Sequence, residues 1–307
     1  MQVSGSDPNR IYITWNFTSM CNFSCTYCPE YLHDNSYGFP DYDDAVNFVR
    51  KISEKQDSIF FEILGGETTL WPKLQDFLVE IIKINSKIVV EINTNGSRTR
   101  NWWNRFTKCN LQDNVVLNFS YHAAQCDADL FYDNLKIVSE AGYTVCANYM
   151  LDPEKFYVSK KLYEKTVVNL DVDTNMRVLR PNFDSEKLID GYTPEMLDII
   201  EKTNDDTKGK AHDSNWNMDI YYDGERANWQ KKIIDKEHSF QFWRCSAGSR
   251  RFFIKMDGEI YPCSELILNS MGRPLGNINS FKILDDLMTC PAEYCACKVD
   301  ALAYKHD

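Results

Sequence analysis

The chain has 307 residues, of which 43% are hydrophobic and 26% are charged, so it can bury a core without disulfide staples. Its net charge of −11, from 34 basic and 45 acidic residues, argues against nucleic acid or an anionic membrane as a partner. No apolar run is long enough for a membrane span, and the first residues lack a secretory signal. We therefore expect a cytoplasmic protein.

Strands and helices are predicted to alternate over the first 180 residues. The predicted strands cover residues 11–17, 58–64, 87–93, 115–120, 143–150 and 175–179. The predicted helices cover residues 41–55, 71–84, 101–108, 127–141 and 154–169, with Asp41 as the cap of the first. Such alternation is typical of βαβ units on a parallel sheet, and six units are too few for the eight-fold barrel. We expect an α/β fold, a partial (β/α)6 TIM-like barrel.

The pattern changes after Pro181. A helical portion is predicted within residues 185–202, and the polar run 203–215 is predicted as a loop. Asp257-Gly258 indicates a hairpin between strands 251–256 and 259–261, and a short helix is predicted near 281–288. The expected division is a core over 1–202, a bridging region over 203–240 and a small domain over 241–307.

Eleven cysteines are present, and an odd number without an export signal argues against a disulfide framework. Cys109, Cys126 and Cys146 are scattered, as buried small hydrophobes often are. A triad follows the first predicted strand with the spacing CxxxCxxC, and its members are Cys21, Cys25 and Cys28. Three thiolates can hold three irons of a [4Fe–4S] cube and leave the fourth iron open to another ligand. The alternative is zinc, which prefers four ligands; the nearby His33 lies beyond Pro29.

The triad, with the aromatic Tyr27 before its last cysteine, resembles the signature of the radical S-adenosylmethionine (SAM) superfamily. Gly65-Gly66-Glu67 follows the second strand and resembles the GGE motif of that family, in which glycines permit close approach and a carboxylate can take the SAM ammonium. The resemblance implies a [4Fe–4S] cluster that binds SAM and cleaves it to methionine and a 5′-deoxyadenosyl radical. That radical abstracts hydrogen from a substrate.

Softer matches lie at the ends of later strands. Thr94-Asn95-Gly96 resembles the TNG turn of the family, and residues 118–122 resemble its SxD segment. The resemblance implies SAM contacts from Asn95 and Ser120, places Tyr27 against the adenine, and offers Val178 as an adenine-side contact or simply a core residue. His122 stands where relatives often carry Asp, and it is either an acid/base candidate or a structural histidine.

A second group of cysteines lies near the C-terminus. Cys245 and Cys263 are separated by 17 residues, and Cys290, Cys295 and Cys297 follow as C-x4-C-x-C. This region resembles the twitch appendage, the shortened SPASM domain, which implies an auxiliary [4Fe–4S] cluster. At most four ligands are needed, so we expect Cys245, Cys263, Cys295 and Cys297, with Cys290 the doubtful member. A zinc ribbon is the alternative.

The resemblance implies an oxidoreductase-type enzyme supplied with electrons by a donor such as flavodoxin or ferredoxin. Its auxiliary cluster would accept an electron from the substrate or ligate it. The first hypothesis is oxidation or rearrangement of a polar small molecule such as a sugar, aminocyclitol or nucleotide. The second is modification of a peptide or protein side chain, which the ten residues before the first strand disfavour for leader-dependent enzymes. A non-catalytic iron–sulfur or zinc protein is the third. Candidate pocket residues are Asn93, Asn95, His122, Asn148, Tyr149, Arg177 and Arg180.

Overall fold

The computed structural model describes residues 1–181, 187–206, 219–227, 232, 235–295 and 297–307. Its strands are β1 (Gln2–Gly5), β2 (Ile11–Asn16), β3 (Ile59–Leu64), β4 (Ile88–Thr94), β5 (Val115–His122), β6 (Thr144–Leu151), β7 (Asp173–Val178), β8 (Ile220–Tyr222), β9 (Glu225–Ala227), β10 (Arg244–Cys245), β11 (Arg251–Ile254), β12 (Glu259–Tyr261), β13 (Gly276–Asn277), β14 (Ser280–Phe281), β15 (Met288–Thr289) and β16 (Lys305–His306). Its α-helices are α1 (Tyr42–Ser53), α2 (Leu74–Ile84), α3 (Arg100–Thr107), α4 (Ala128–Glu140), α5 (Phe156–Asn169), α6 (Pro194–Asp206), α7 (Ser264–Leu268) and α8 (Lys298–Ala301). None of these helices is long and apolar enough to cross a bilayer.

Strands β2 to β7 form a parallel sheet in chain order, with helices α1 to α5 connecting them. The C-terminal strand β11 pairs in parallel with β2, placing Arg251 beside Tyr12, so the described sheet continues past β2 and does not close on β7. The expected α/β fold with a partial, open barrel is confirmed. Asp41 caps α1 as predicted, accepting hydrogen bonds from the backbone of Asp43 and Asp44.

Side chains alternate between the two faces of this sheet. One face packs on the helices and carries the main core, for example Ile13, Phe61, Ile92 and Leu117. We call the opposite side the lumen face; its polar members include Thr14, Glu62, Glu91, Asn93, Asn118, Ser120, Asn148 and Arg177. At the amino ends of the strands an apolar layer closes this side, and it consists of Tyr12, Phe60 and Val89 packed with Val3 and Ile220.

A second sheet covers that apolar layer, with strand order β15-β10-β16-β1-β8-β9. Its strand β1 pairs with β16, so that Val3 lies opposite Lys305 near the end of the chain. Pairing therefore crosses the boundaries expected at residues 202 and 240, because the first residues lie in one sheet with the last. The sequence held no signal for this, since two- to four-residue strands have no readable periodicity.

Two predicted elements differ in the structure. Helix α2 begins at Leu74 rather than at residue 71, because Trp71 to Lys73 form a turn ahead of it. The helix predicted near 281–288 is wrong: Phe281 and Met288 belong to strands β14 and β15, and backbone pairing to β13 and β10 outweighs the helical periodicity. The predicted loop over 203–215 lies largely outside the described residues, as do residues 185 and 186.

Candidate functional site

The cysteine loop, residues 21–28, follows β2 at the carboxyl end of the parallel sheet. Cys25 is buried, while Cys21 and Cys28 are half-buried. Burial and the neighbouring thiols of Cys25 and Cys21 raise the pKa of Cys28 to about 11. The three sulfurs therefore lie close enough to repel one another when ionised, which suits thiols that lose their protons to bound iron.

The GGE motif holds the chain that leads into this loop. The Gly66 N–H donates to the Thr18 carbonyl at 2.7 Å and the Glu67 N–H to the Met20 carbonyl at 2.8 Å. A Cβ at Gly66 would lie 2.3 Å from the Met20 oxygen, and Gly65 has a φ of +132°. The glycines are needed because strand β3 ends against the backbone that leads into the cysteine loop; their approach to SAM stays a prediction.

The Glu67 side chain accepts hydrogen bonds from two neighbouring turns. It is fully buried, and its Oε2 accepts from the Asn95 N–H at 2.6 Å. Its Oε1 accepts from the Thr94 hydroxyl at 2.8 Å and from both the backbone and the hydroxyl of Thr69. These hydrogen bonds join the GGE motif to the TNG turn, and a SAM contact from Glu67 stays a prediction.

Three further predicted contacts fall in different places. Asn95 lies against the cysteine loop, donating from Nδ2 to the Asn22 side chain at 3.0 Å. Ser120 is half-buried on the lumen face, where a ligand can reach it. Val178 shares the helix-facing side of β7 with Met176 and packs on the core, which is the alternative that the sequence left open. Tyr149, which the sequence offered as a pocket residue, is instead fully buried among core residues.

His122 lies against the cysteine loop and not free in the lumen. Its Nδ1 is 2.7 Å from the Tyr27 hydroxyl, and the two rings are stacked with centroids 5.9 Å apart. Phe23 meets the same imidazole edge-on at 6.1 Å. Burial lowers the pKa of His122 to about 4, so the ring is neutral at physiological pH.

A line of hydrogen bonds crosses the middle of the lumen face. The Thr14 hydroxyl donates to Glu62 at 2.7 Å, and the Asn118 amide donates to Glu91 at 3.3 Å. The Arg177 Nε donates to the Asn148 amide oxygen at 3.1 Å, and that amide in turn donates to Asn118. Glu62 and Glu91 are directly opposite each other on adjacent strands. Burial and the charge of Glu91 raise the pKa of Glu62 to about 7.

The sequence predictions missed both lumen carboxylates. Their signal was a single acidic residue inside an apolar strand, at the fourth position of IFFEIL and of IVVEINT. A charge there must face a polar interior or carry a partner, because the other positions are core.

A small cavity near the C-terminal cysteines lies between β10, α7 and the β15–α8 connection. It is lined by four cysteines, and these are Cys245, Cys263, Cys290 and Cys295. Burial raises the pKa of Cys290 and Cys295, and the Cys245 sulfur contributes to the rise at both. The buried ammonium of Lys305 also lines the cavity and opposes that rise.

Cys297 is not among the described residues that line this cavity. Burial and the charge of Asp300 raise the pKa of its thiol, and the Arg251 charge opposes that rise. It packs against the cluster that holds Tyr12, Phe60 and Cys295, and its N–H donates to Glu265 at the cavity. The cavity therefore groups Cys290 with Cys245, Cys263 and Cys295, whereas the sequence pattern favoured Cys297. Within the described ranges, no three His, Cys, Asp or Glu side chains are gathered as ligands of one metal ion.

Comparison with known proteins gives sequence relatives for part of the chain. GTP 3′,8-cyclases from two strains of Helicobacter pylori are 32% identical over 94 residues, which is 29% of this chain and 29% of each cyclase. This chain therefore matches less than a third of the length of those relatives.

Solved structures resemble the fold over most of the chain. Native anSMEcpe with bound AdoMet and the Cp18Cys peptide is 16% identical with a TM-score of 0.59, and the match covers 89% of this chain and 78% of that one. SuiB of Streptococcus suis bound to its precursor peptide SuiA is 14% identical with a TM-score of 0.57, covering 90% of this chain and 64% of SuiB. Residues 15–165, which hold the cysteine loop, the GGE motif and strands β3 to β6, match the model of the Radical SAM superfamily. Residues 15–165 of the chain therefore form a Radical SAM domain.

Proposed function

We propose that Cys21, Cys25 and Cys28 hold a [4Fe–4S] cluster whose open iron binds SAM, and that a polar small molecule is held below it in the lumen. When bound, the cluster and SAM supply a 5′-deoxyadenosyl radical, which abstracts hydrogen from an unactivated carbon. The protein itself binds and orients SAM and the substrate and excludes water.

The residues fit this role on three observations. The three thiols lie on one loop, and the charges of Cys25 and Cys21 act on Cys28. The loop is braced by backbone hydrogen bonds from Gly66 and Glu67 and by the side chain of Asn95. Ser120 faces the same space from β5, so we propose it as a SAM contact.

The polar lumen face is the observation that carries the substrate class. Glu62, Glu91, Asn118, Asn148 and Arg177 offer carboxylates, amides and a guanidinium at one level of the sheet. Such groups match hydroxyl, amino or phosphate substituents, as a sugar, aminocyclitol or nucleotide carries them. The sequence likeness to GTP 3′,8-cyclases supports the same class.

We propose that Cys245, Cys263, Cys290 and Cys295 hold an auxiliary cluster in a twitch-like region over residues 241–307. Four thiolates around one cavity leave no open corner, which favours acceptance of an electron over ligation of the substrate. The net reaction is then an oxidation, with the substrate as electron donor.

A peptide or protein side chain is the second candidate substrate. Its support is that the folds of anSMEcpe and SuiB, each solved with a peptide bound, extend over about nine-tenths of this chain.

Deuterium transfer from substrate to deoxyadenosine distinguishes a small-molecule substrate from a peptide substrate. Anaerobically reconstituted protein is incubated with dithionite, SAM and one deuterated compound at a time: GTP, an amino sugar, or a peptide deuterated at a cysteine or serine β-carbon. We expect label in deoxyadenosine with the GTP or amino-sugar arm and none with the C25A variant, while the C109A control behaves like the natural protein. Label from the peptide arm alone overturns the small-molecule assignment.

A further inference from the structure

We propose that the buried ammonium of Lys305 is a fixed positive charge that raises the reduction potential of the auxiliary cluster. The proposal rests on the proposed function, because it needs a cluster held by the four cysteines that line the C-terminal cavity. It assigns Lys305 an electrostatic role and no contact with the substrate.

The register of the second sheet places Lys305 beside one of these cysteines. On the antiparallel strands β16 and β10, Lys305 lies directly opposite Cys245. Residues in such opposite positions point to the same face of a sheet, with their Cβ atoms about 4.5–5.5 Å apart. The Lys305 side chain therefore enters the cavity from the same side as Cys245, and both residues line it.

Three hydrogen bonds fix the charge of the Lys305 side chain. Its Nζ donates to the backbone carbonyls of Asp300 and Ala301 at 3.1 and 3.0 Å. It also donates to the Ala303 carbonyl at 2.9 Å. A carbonyl oxygen only accepts, and a neutral amine has two N–H groups, so three such partners require the ammonium form. These carbonyls lie at the end of α8, where a helix leaves acceptors open.

This charge is held away from water. Lys305 is 1% exposed, and its Nζ lies 5.0 Å from the centroid of the Phe240 ring. All three N–H groups are used on the backbone, so the side chain cannot swing out to solvent without breaking three hydrogen bonds. The positive charge is therefore a fixed part of the cavity wall.

Two carboxylates also line the cavity, and these belong to Asp300 and Glu265. Asp300 is paired with the buried guanidinium of Arg251 at 2.6 Å, which offsets its charge. Glu265 accepts from the Cys297 N–H at 3.0 Å. Among the described lining residues Lys305 is the one cation, so it is the positive charge that a cluster in this cavity would meet.

A buried positive charge favours the reduced state of a nearby cluster. Reduction adds one negative charge to a cube that four thiolates already make anionic, and net charge is one of the terms that set the potential. The attraction between this added charge and the ammonium is stronger in a protein interior than in water. The auxiliary cluster is thereby easier to reduce, which suits the proposed acceptance of an electron from the substrate.

The test is an EPR-monitored redox titration of the full chain in a background that carries C21A, C25A and C28A, with iron counted in every sample. If this background holds no iron, the proposed auxiliary cluster fails before Lys305 is judged. K305Q removes the charge but keeps N–H donors, K305M removes both, and K305R keeps the charge. The control is K298Q, which removes an exposed cation from the first position of α8.

We expect K305Q and K305M to lower the midpoint potential by a roughly tenfold change in the reduction equilibrium, which is 59 mV for one electron. K305R and K298Q should stay close to the background protein. An unshifted midpoint in K305Q overturns the proposal, as does an equal shift in K298Q. K305M decides the matter if K305Q loses its iron. Loss of iron from both neutral variants also overturns it, because Lys305 would then serve assembly of the cluster and not its potential.

Discussion

Glu67 shows how a motif residue can position the protein around a site. Its carboxylate accepts from Thr69, Thr94 and the Asn95 backbone, so it sets the position of two turns that flank the cysteine loop. The GGE pattern could be recognised from the sequence. The direction of the side chain could not, because it depends on where strand β4 ends.

Replacing Glu67 with alanine should lower the free energy of unfolding by about 1–3 kcal/mol, because buried donors lose their acceptor. E67Q, which keeps an acceptor oxygen, should lose less. Urea unfolding of the purified protein measures both. The control is E80A on the surface of α2, which we expect to stay within about 0.5 kcal/mol of the natural protein. An E67A midpoint equal to that of E80A would show that the carboxylate does not brace the site.

Glu62 should make the stability of the folded protein depend on pH. Burial and the charge of Glu91 raise its pKa from 4.5 to about 7, while the Thr14 hydrogen bond and Arg251 oppose the rise and Asp300 adds to it. Since the folded state holds a proton that the unfolded state releases, the stability contributed by Glu62 is complete below pH 4.5 and is lost as the pH rises through 7.

E62Q removes that titration, because glutamine is neutral at every pH. The difference in unfolding free energy, E62Q minus natural protein, should therefore increase between pH 4.5 and 7. Denaturant titrations of both proteins at several pH values measure the difference. A flat line for E62Q would mean that Glu62 is ionised throughout in the folded protein.

Whole elements were predictable wherever apolar periodicity is strong. Strands β2 to β7 and helices α1 to α5 lie within a few residues of their predicted bounds, because each buries one continuous face. The short C-terminal strands were not predictable, because the structure of residues 281–288 depends on pairing with strands that are distant in the sequence. The grouping of the last cysteines stays a prediction, because spacing along the chain does not say which thiols line one cavity.

The grouping of the C-terminal cysteines is testable by iron analysis in a background that lacks the triad (C21A, C25A and C28A). We expect roughly four irons per chain from an auxiliary cluster in that background. Adding C290A should remove most of this iron, because Cys290 lines the cavity, whereas C297A should retain it. Retention with C290A and loss with C297A would support the spacing-based grouping instead.

At the scale of the whole molecule, one buried ion pair connects the sheet with the C-terminal region. Arg251 and Asp300 are 0% and 2% exposed and lie 2.6 Å apart. Arg251 also donates to Thr14 on β2 at 2.9 Å, and Asp300 accepts from the backbone of Ser264 at 3.0 Å. These contacts join β2, β11, α7 and α8, so we expect the described parts to unfold together and not as separate domains.

R251M should destabilise the protein by about 3–5 kcal/mol, because it leaves the Asp300 carboxylate buried without its cation. The control is R250M, whose guanidinium donates to the Pro8 carbonyl at the surface. Thermal unfolding followed by circular dichroism compares the two. Equal melting temperatures for R251M and R250M would contradict the role of the ion pair. Two separate transitions in the natural protein would contradict cooperative unfolding of its described parts.

The most direct test of the central claim is the EPR spectrum of anaerobically reconstituted, dithionite-reduced protein with and without SAM. Cys21, Cys25 and Cys28 leave one iron of their cluster without a sulfur ligand, so SAM should change the g-values of a reduced [4Fe–4S] signal, and the C25A variant should lose that signal. A protein that binds zinc at the triad, or a cluster whose spectrum is the same with and without SAM, would contradict the account.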